Sequence, residues 1–257
     1  MAQTVAGSIT IIILCIGAAV AFLFVVRRFW MPPTRSAHND AIGPNVSVLG
    51  TTYAVLIAFM LSGVWSEMQA ASLNTEQEAN SLVNIYRFAE QLPQESRIEI
   101  QKLAHDYAQV MVSEEWPAMM HEGSSPAGHI LARNLWRALT SVQPHTPTEQ
   151  QMMDHSLSEL TSMSEHRRVR LLQSHQKLPA MLWAVLIVGG IVTVGSTCLF
   201  GIADFELHIV QVFEISFLIS LMLMAIAAID QPFQGHVRVP PDAFRYAVET
   251  MDTLHPN

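Results

Sequence analysis

The sequence predicts an all-α membrane protein, with four transmembrane helices and a helical cytoplasmic domain between the second and third. Three observations carry that prediction. Of 257 residues, 50% are apolar and only 14% are charged, whereas a soluble domain carries about a quarter charged residues. The apolar residues concentrate in four runs, each close to the ~20 residues that cross a bilayer core. The polar stretch between the second and third runs repeats its apolar residues at steps of three and four rather than two, which is helical spacing. A balance of 14 Lys+Arg against 22 Asp+Glu leaves a net charge of −8, which excludes a basic nucleic-acid footprint. The only two cysteines, Cys15 and Cys198, lie inside apolar runs, so neither a disulfide framework nor a cysteine-based zinc site is expected.

The first run, residues 5–26, contains no charge; it lacks a basic leader and exceeds the ~7 to 15 apolar residues of a signal peptide. The second, residues 46–65, is bounded by Gly43-Pro44-Asn45 and by Glu67. The third follows Lys177-Leu178-Pro179 and reaches residue 200, where an acidic turn over 201–206 leads to the fourth, residues 207–229, stopped by Asp230-Gln231-Pro232. A helix is expected to continue out of the second run to residue 91, with Ala71, Ala79, Leu82, Val83, Tyr86 and Ala89 on one face and Pro93 at its end. The next spans 94–115 and ends at Trp116-Pro117, and the Gly123-Ser124-Ser125-Pro126 loop precedes a third over 127–142. The last has the clearest start: Thr146 caps it, Pro147 suits its first position and Glu149 completes a capping box. Along it Met153, Leu157, Leu160, Ser164 and Leu171 repeat like a heptad seam. The expected division is residues 1–65 and 179–230 in the membrane, 66–178 as the helical domain and 231–257 as a C-terminal segment.

Arg27, Arg28 and Arg35 crowd the loop between the first two runs. Six bases lie on the other side: Arg167, Arg168, Arg170 and Lys177 before the third run, and Arg238 and Arg245 after the fourth. The positive-inside rule then places the N-terminus, the middle domain and the C-terminus in the cytoplasm.

Two stretches resemble the bestrophin channels, and more closely the prokaryotic bestrophin-like proteins. Ser47-Val48-Leu49-Gly50, Ala58-Phe59, Trp65, Glu78-Ala79-Asn80 and Tyr86-Arg87 look like the bestrophin pore helix passing into its first cytosolic helix. Arg167-Arg168-Val169-Arg170-Leu171, Leu178-Pro179, two apolar runs, Asp230-Gln231-Pro232-Phe233-Gln234-Gly235 and Pro241-Asp242-Ala243-Phe244 are similar to the last two spans and the Pro-Phe-Gly element beyond them. The inserted Gln234 splits that element, Gly63-Val64-Trp65-Ser66-Glu67 replaces the usual aromatic and basic pattern, and Asp242, Glu249 and Asp252 are too scattered for a calcium clasp. The resemblance implies a homopentamer in the lipid bilayer of a prokaryotic plasma membrane, passing inorganic ions, usually anions, and needing no cofactor. It also implies a pore lined by the second span, with Thr51, Val55 and Phe59 on one face and a hydrophobic neck that gates by dewetting. Packing against neighbouring spans or lipid is the other reading of those three residues, and a non-conducting scaffold or sensor is the rival function.

Glu214 is the one acid well inside a span, and His208, Gln211 and Glu214 follow at three-residue steps. Read as one helical side about five residues in, they form an interfacial hydrogen-bonding site or mark an ion path. Gly189, Thr193 and Thr197 recur every four residues and permit close helix approach. His155, His166 and His175 lack ligand spacing, so no metal is expected. Glu114-Glu115-Trp116-Pro117 reads as a helix terminus with Trp116 packed down. With no nucleophile elbow, phosphate loop or dinucleotide fingerprint, no enzyme activity is expected.

Overall fold

The computed structural model describes residues 5–254, so the outermost residues of the expected first and last segments lie outside it. The described residues form helices and no strand. They fall into two compact units, one of residues 1–66 and 177–230 and the other of 67–176 and 231–257.

The first unit holds α1 (Val5–Phe29), the short α2 (Pro32–Ser36), the opening part of α3 (Asn39–Phe88), α8 (Ala180–Thr197) and α9 (Phe205–Ile229). Four helices, with α3 among them, are long and apolar enough to cross a membrane. Their apolar residues run round every face rather than along one stripe, which is the pattern of a helix surrounded by hydrocarbon or protein. Inside the unit, Ala19 and Leu23 of α1 pack with Val212 of α9, and Ile57 of α3 packs with Leu186 of α8 and Ile226 of α9. Large apolar side chains also cover the outside, among them Ile13, Phe24, Val188, Ile191 and Phe213. A surface this continuously apolar marks contact with lipid or protein.

Helix α3 starts at Asn39, with Pro44 inside it rather than at its boundary. The missing Pro44 amide forgoes a single bond, to the carbonyl four residues back, so close to the helix start that the helix continues.

The second unit contains the rest of α3 with α4 (Gln94–Val110), α5 (Trp116–Met119), α6 (Pro126–Ser141), α7 (Pro147–Gln173) and α10 (Asp242–Leu254). Its core encloses a large apolar cluster, with Leu82, Ile85, Ile100, Leu135 and Leu160 all at zero exposure. The expected stop at Trp116-Pro117 is replaced by a π-turn over Met111–Glu115 that leads into α5. Pro117 falls in the first turn of α5, and the wider winding of the π-turn before it makes room for a residue that donates no amide hydrogen bond.

Ser125 caps α6 by accepting from the Ala127 amide (3.1 Å), and Thr146 caps α7 by accepting from the Glu149 amide (3.2 Å). Glu149 does not close the box on Thr146; its Oε2 accepts from the His145 amide at 2.6 Å, one residue earlier. The buried face of α7 is Ser156, Leu160, Met163, Arg167, Arg170 and Gln173, so the heptad seam is displaced. Met153, Leu157 and Leu171 only flank the core, because the centre of the face carries arginine.

Candidate functional site

The rotation of α3 in the first unit is set by Tyr53. Its hydroxyl donates to the Leu186 carbonyl at 2.7 Å, and its ring lies on Gly189 and Gly190 of α8. A Cβ at Gly189 would sit 2.7 Å from the ring edge, and one at Gly190 2.9 Å from the hydroxyl. Two adjacent glycines therefore make the groove into which α3 drops its tyrosine. The nearby threonines are buried and satisfied within α8: Thr193 Oγ1 donates to the Gly189 carbonyl (2.8 Å) and Thr197 Oγ1 to the Val194 carbonyl (2.7 Å).

With Tyr53 and Ile57 turned inward, residues two positions away point outward at ~100° per residue. Thr51 is exposed, Val55 is 51% exposed and Phe59 70%. They line one outer face of α3 over about 12 Å. Phe59 thus presents most of its aromatic ring at the surface, where lipid or another chain can cover it.

The two short connections meet at one end of the unit. Arg35 is wholly enclosed and its Nη1 donates to the Cys198 carbonyl at 2.8 Å. The Asn39 side-chain amide accepts from the Gly201 N–H at 2.9 Å. His208 Nε2 lies 3.2 Å from the Thr197 carbonyl. The last carbonyls of α8 thus receive a cation and an imidazole, as its dipole favours. Burial, then the nearby Arg27 charge, lowers the Arg35 pKa. Arg35 is therefore a structural cap and drops out of the surface-charge count used for orientation.

His208 is buried, whereas Gln211 and Glu214 are exposed, so the three do not share a side of α9. The turn per residue carries Glu214 about 240° from His208. Because α9 begins at Phe205, Glu214 stands about 14 Å along it, deeper than five residues. Its neighbours Val210, Phe213, Phe217 and Leu218 are exposed apolar groups.

Asp230 closes the same unit by accepting from the Leu178 amide at 2.7 Å, which joins the end of α9 to the approach to α8. Beyond it, in the second unit, Pro232 is buried and Phe233 packs edge-on against Trp116, with centroids 5.9 Å apart. The Val239 amide donates to the Pro232 carbonyl (2.7 Å), and Gly235 takes φ +72°, a left-handed turn suited to glycine. The inserted Gln234 is itself buried.

The second unit holds a feature the sequence reading missed. Glu78 of α3 and Arg170 of α7, both at zero exposure, form a two-pronged ion pair: Arg170 Nε to Oε2 at 2.6 Å and Nη2 to Oε1 at 3.0 Å. The Tyr107 hydroxyl donates to Glu78 Oε1 at 2.6 Å and accepts from Arg167 Nη1 at 3.1 Å. Glu115, at the end of the π-turn, lies 3.1 Å from Arg167 Nη2 and 3.7 Å from Arg170 Nη1. Its other oxygen accepts from the Ser125 amide at 2.7 Å. Trp116 and Phe244 present ring faces to Arg170, at 5.0 and 5.9 Å. Two cations and two anions balance, which is how charge is tolerated in a core. Gly128 leaves the necessary space, since a Cβ there would approach the Arg167 guanidinium at 3.0 Å. Glu115 is thus an ion-pair partner and not a simple helix terminus. Arg167 and Arg170 are core residues, not exposed flanks of the third run.

Burial, then the Glu78 charge, pushes the Tyr107 phenol well above its ordinary pKa. The folded chain therefore holds this proton when the unfolded chain releases it near pH ~10. Stability is fully present below that pH and falls above it, by at most ~1.4 kcal/mol per pH unit. Tyr107→Phe should remove that share of the alkaline slope in thermal unfolding scans between about pH 9 and 11; an unchanged slope would contradict the assignment.

Among the described residues no three His, Cys, Asp or Glu converge as a metal site. The family model for the Bestrophin-like domain matches residues 13–244. A point-mutated bacterial Bestrophin homolog from Klebsiella pneumoniae has a similar fold, with TM-score 0.68 at 11% identity over 96% of this chain and 99% of that one. Another crystal structure of a Bestrophin homolog from that organism gives TM-score 0.66 at 12% identity, covering 95% and 100%. No curated protein matches the sequence.

Proposed function

This chain belongs to the Bestrophin-like family, and from that premise we propose that it is a multi-pass membrane ion channel whose pore face is the Thr51, Val55 and Phe59 side of α3. The observation that carries the reading is the locking of Tyr53 into the Gly189-Gly190 groove, which leaves Val55 and Phe59 exposed on a single protomer. Rings of these side chains from several copies, five by resemblance to the bestrophins, form a narrow dry neck that conducts by wetting. The work is transport and not catalysis.

The four apolar helices span the plasma membrane in this reading, and the unit of residues 67–176 and 231–257 faces the cytoplasm. Without the buried Arg35, Arg167 and Arg170, Arg27 and Arg28 remain on one side of the spans, against exposed Arg168, Lys177, Arg238 and Arg245 on the other. The positive-inside preference keeps its direction. Lipid, other copies of the chain and inorganic ions are its partners.

Resemblance favours anions. Cation passage is the second reading, supported by the exposed residues of α3 itself: Glu67 and Glu76 are exposed, and no Lys or Arg precedes Arg87 on that helix. Acids lining a pathway draw cations.

In planar bilayers under a potassium chloride gradient, the purified protein should give a reversal potential near that of chloride for the first reading and near that of potassium for the second. Phe59→Ala is expected to raise conductance several-fold and shift the reversal, because it removes the largest side chain of the neck. Intact oligomers that pass no current in either form would favour a scaffold or sensor whose helical unit binds a partner.

A further inference from the structure

At the end of the first unit where its two short connections meet, an open cavity of about 730 Å³ lies between the last turn of α1 and the first turn of α9, lined by Phe24, Val25, Arg27, Arg28, Phe29 and Phe205. Its composition is two-sided. Phe24 is 52% exposed, Val25 51% and Phe29 85%, and together with Phe205 they make an apolar wall. Two arginines stand beside it.

Arg27 is fixed in place: its Nη1 and Nη2 donate to the Ile202 and Ala203 carbonyls at 3.2 and 3.3 Å, and its guanidinium lies 4.7 Å over the Phe205 ring. Among the described residues no carboxylate pairs with it. Asp204 is turned away, capping α9 through the Glu206 and Leu207 amides at 3.0 and 3.2 Å, and Glu206 is not among the lining residues. Arg28 is exposed and has no ion pair among the described residues.

A guanidinium pair suits a phosphate because its planar N–H groups match phosphate oxygens. Aromatic side chains at the same place suit acyl chains, and the site stands at the ends of two helices long and apolar enough to cross a bilayer. A free phosphate would use the arginines but leave the phenylalanine wall in water; a neutral lipid would do the reverse. We propose that this cavity binds an anionic glycerophospholipid, with the head-group phosphate on Arg27 and Arg28 and the acyl chains along Phe24, Phe29 and Phe205.

The proposal rests on α1 and α9 spanning the membrane, and it does not require that the protein conduct. Extraction of membranes with alkaline carbonate tests the spanning separately: protein released into the supernatant would remove that premise. For the site itself, full-length protein is delipidated in detergent and titrated with phosphatidylglycerol, with diacylglycerol of the same chains and with inorganic phosphate, and the retained lipid is counted by native mass spectrometry. Phosphatidylglycerol should be retained about tenfold more tightly than diacylglycerol and should resist millimolar phosphate. Arg28→Gln, at an exposed position, should weaken it about fivefold with the oligomer unchanged, and Arg27→Lys should weaken it while keeping the charge, because the planar donor pair is lost. Equal retention of the two lipids, displacement by inorganic phosphate, or retention unchanged in both variants would overturn the proposal.

Discussion

Arg170→Met is expected to destabilise the full-length protein by about 3–5 kcal/mol, the cost of removing one partner from a buried pair. Its guanidinium makes both prongs to Glu78, at 2.6 and 3.0 Å, with neither residue exposed. Methionine fills much the same length but supplies no donor. Glu78 would then hold its charge against the Tyr107 hydroxyl alone. Burial alone would lower the Arg170 pKa, but the charge and hydrogen bonds of Glu78, with Tyr107 and Glu115, together raise it, so proton loss offers the wild type no escape from the charged pair. The informative comparison is the double variant Glu78→Leu with Arg170→Met, in which no charge is stranded. It should recover most of the lost stability, to within about 1–2 kcal/mol of wild type, since a well-packed apolar replacement of a buried pair is often neutral. Thermal or denaturant unfolding in detergent decides the matter: a double variant as unstable as the single ones would mean that shape, not stranded charge, sets the cost.

Gly201→Ala is the second large effect. A methyl group there would overlap the backbone of Ser36 and Arg35. Backbone cannot rotate aside as a side chain does, so the turn before α9 must move. It would draw the Gly201 N–H from Asn39 and the Arg35 guanidinium from the Cys198 carbonyl, now 2.9 and 2.8 Å away. Overpacking costs about 1–3 kcal/mol, and leaving Arg35 buried without its carbonyl adds to it. Alanine at Gly17, where the surroundings are open, is the control and should unfold within about 1 kcal/mol of wild type. If both alanines behave alike, the tight approach at Gly201 carries no weight.

The helices were legible where composition is extreme or a cap is local. Charge-free runs, Thr146 with Pro147, and the apolar steps of residues 79–89 each announce themselves within a few residues. Pro44 misled because proline is tolerated near a helix start. The capping acid Glu149 was visible, but not which of two adjacent amides it would take. The Glu78, Glu115, Arg167 and Arg170 group was hidden for a different reason: its members come from three helices far apart in the chain, and a charge buried by a distant partner reads like a solvated one. A trace did exist, since Leu160, Met163, Arg167 and Arg170 step by three and four along one side of α7. At the proposed pore, the resemblance set Thr51, Val55 and Phe59 on one helical face, but Tyr53, which turns that face outward, required knowing that Gly189 and Gly190 lie opposite.

The π-turn at Met111–Glu115 works as a phase shifter within a nearly continuous rod. Upstream, Tyr107 and Ala108 face the core; downstream, Glu115, Trp116 and Met119 do so as well, although a regular helix would carry the second set round by part of a turn. Ser113 and Glu114, both exposed, occupy the slack. Deleting either one would restore regular winding with Glu115, Trp116 and Met119 still turned inward, because the ~100° lost with one residue offsets the turn that the π-turn takes out. Length and winding are therefore interchangeable over these five residues: a chain one residue shorter here keeps the same inward face on a regular helix, whereas regular winding at the present length would turn Trp116 and Met119 out of the core.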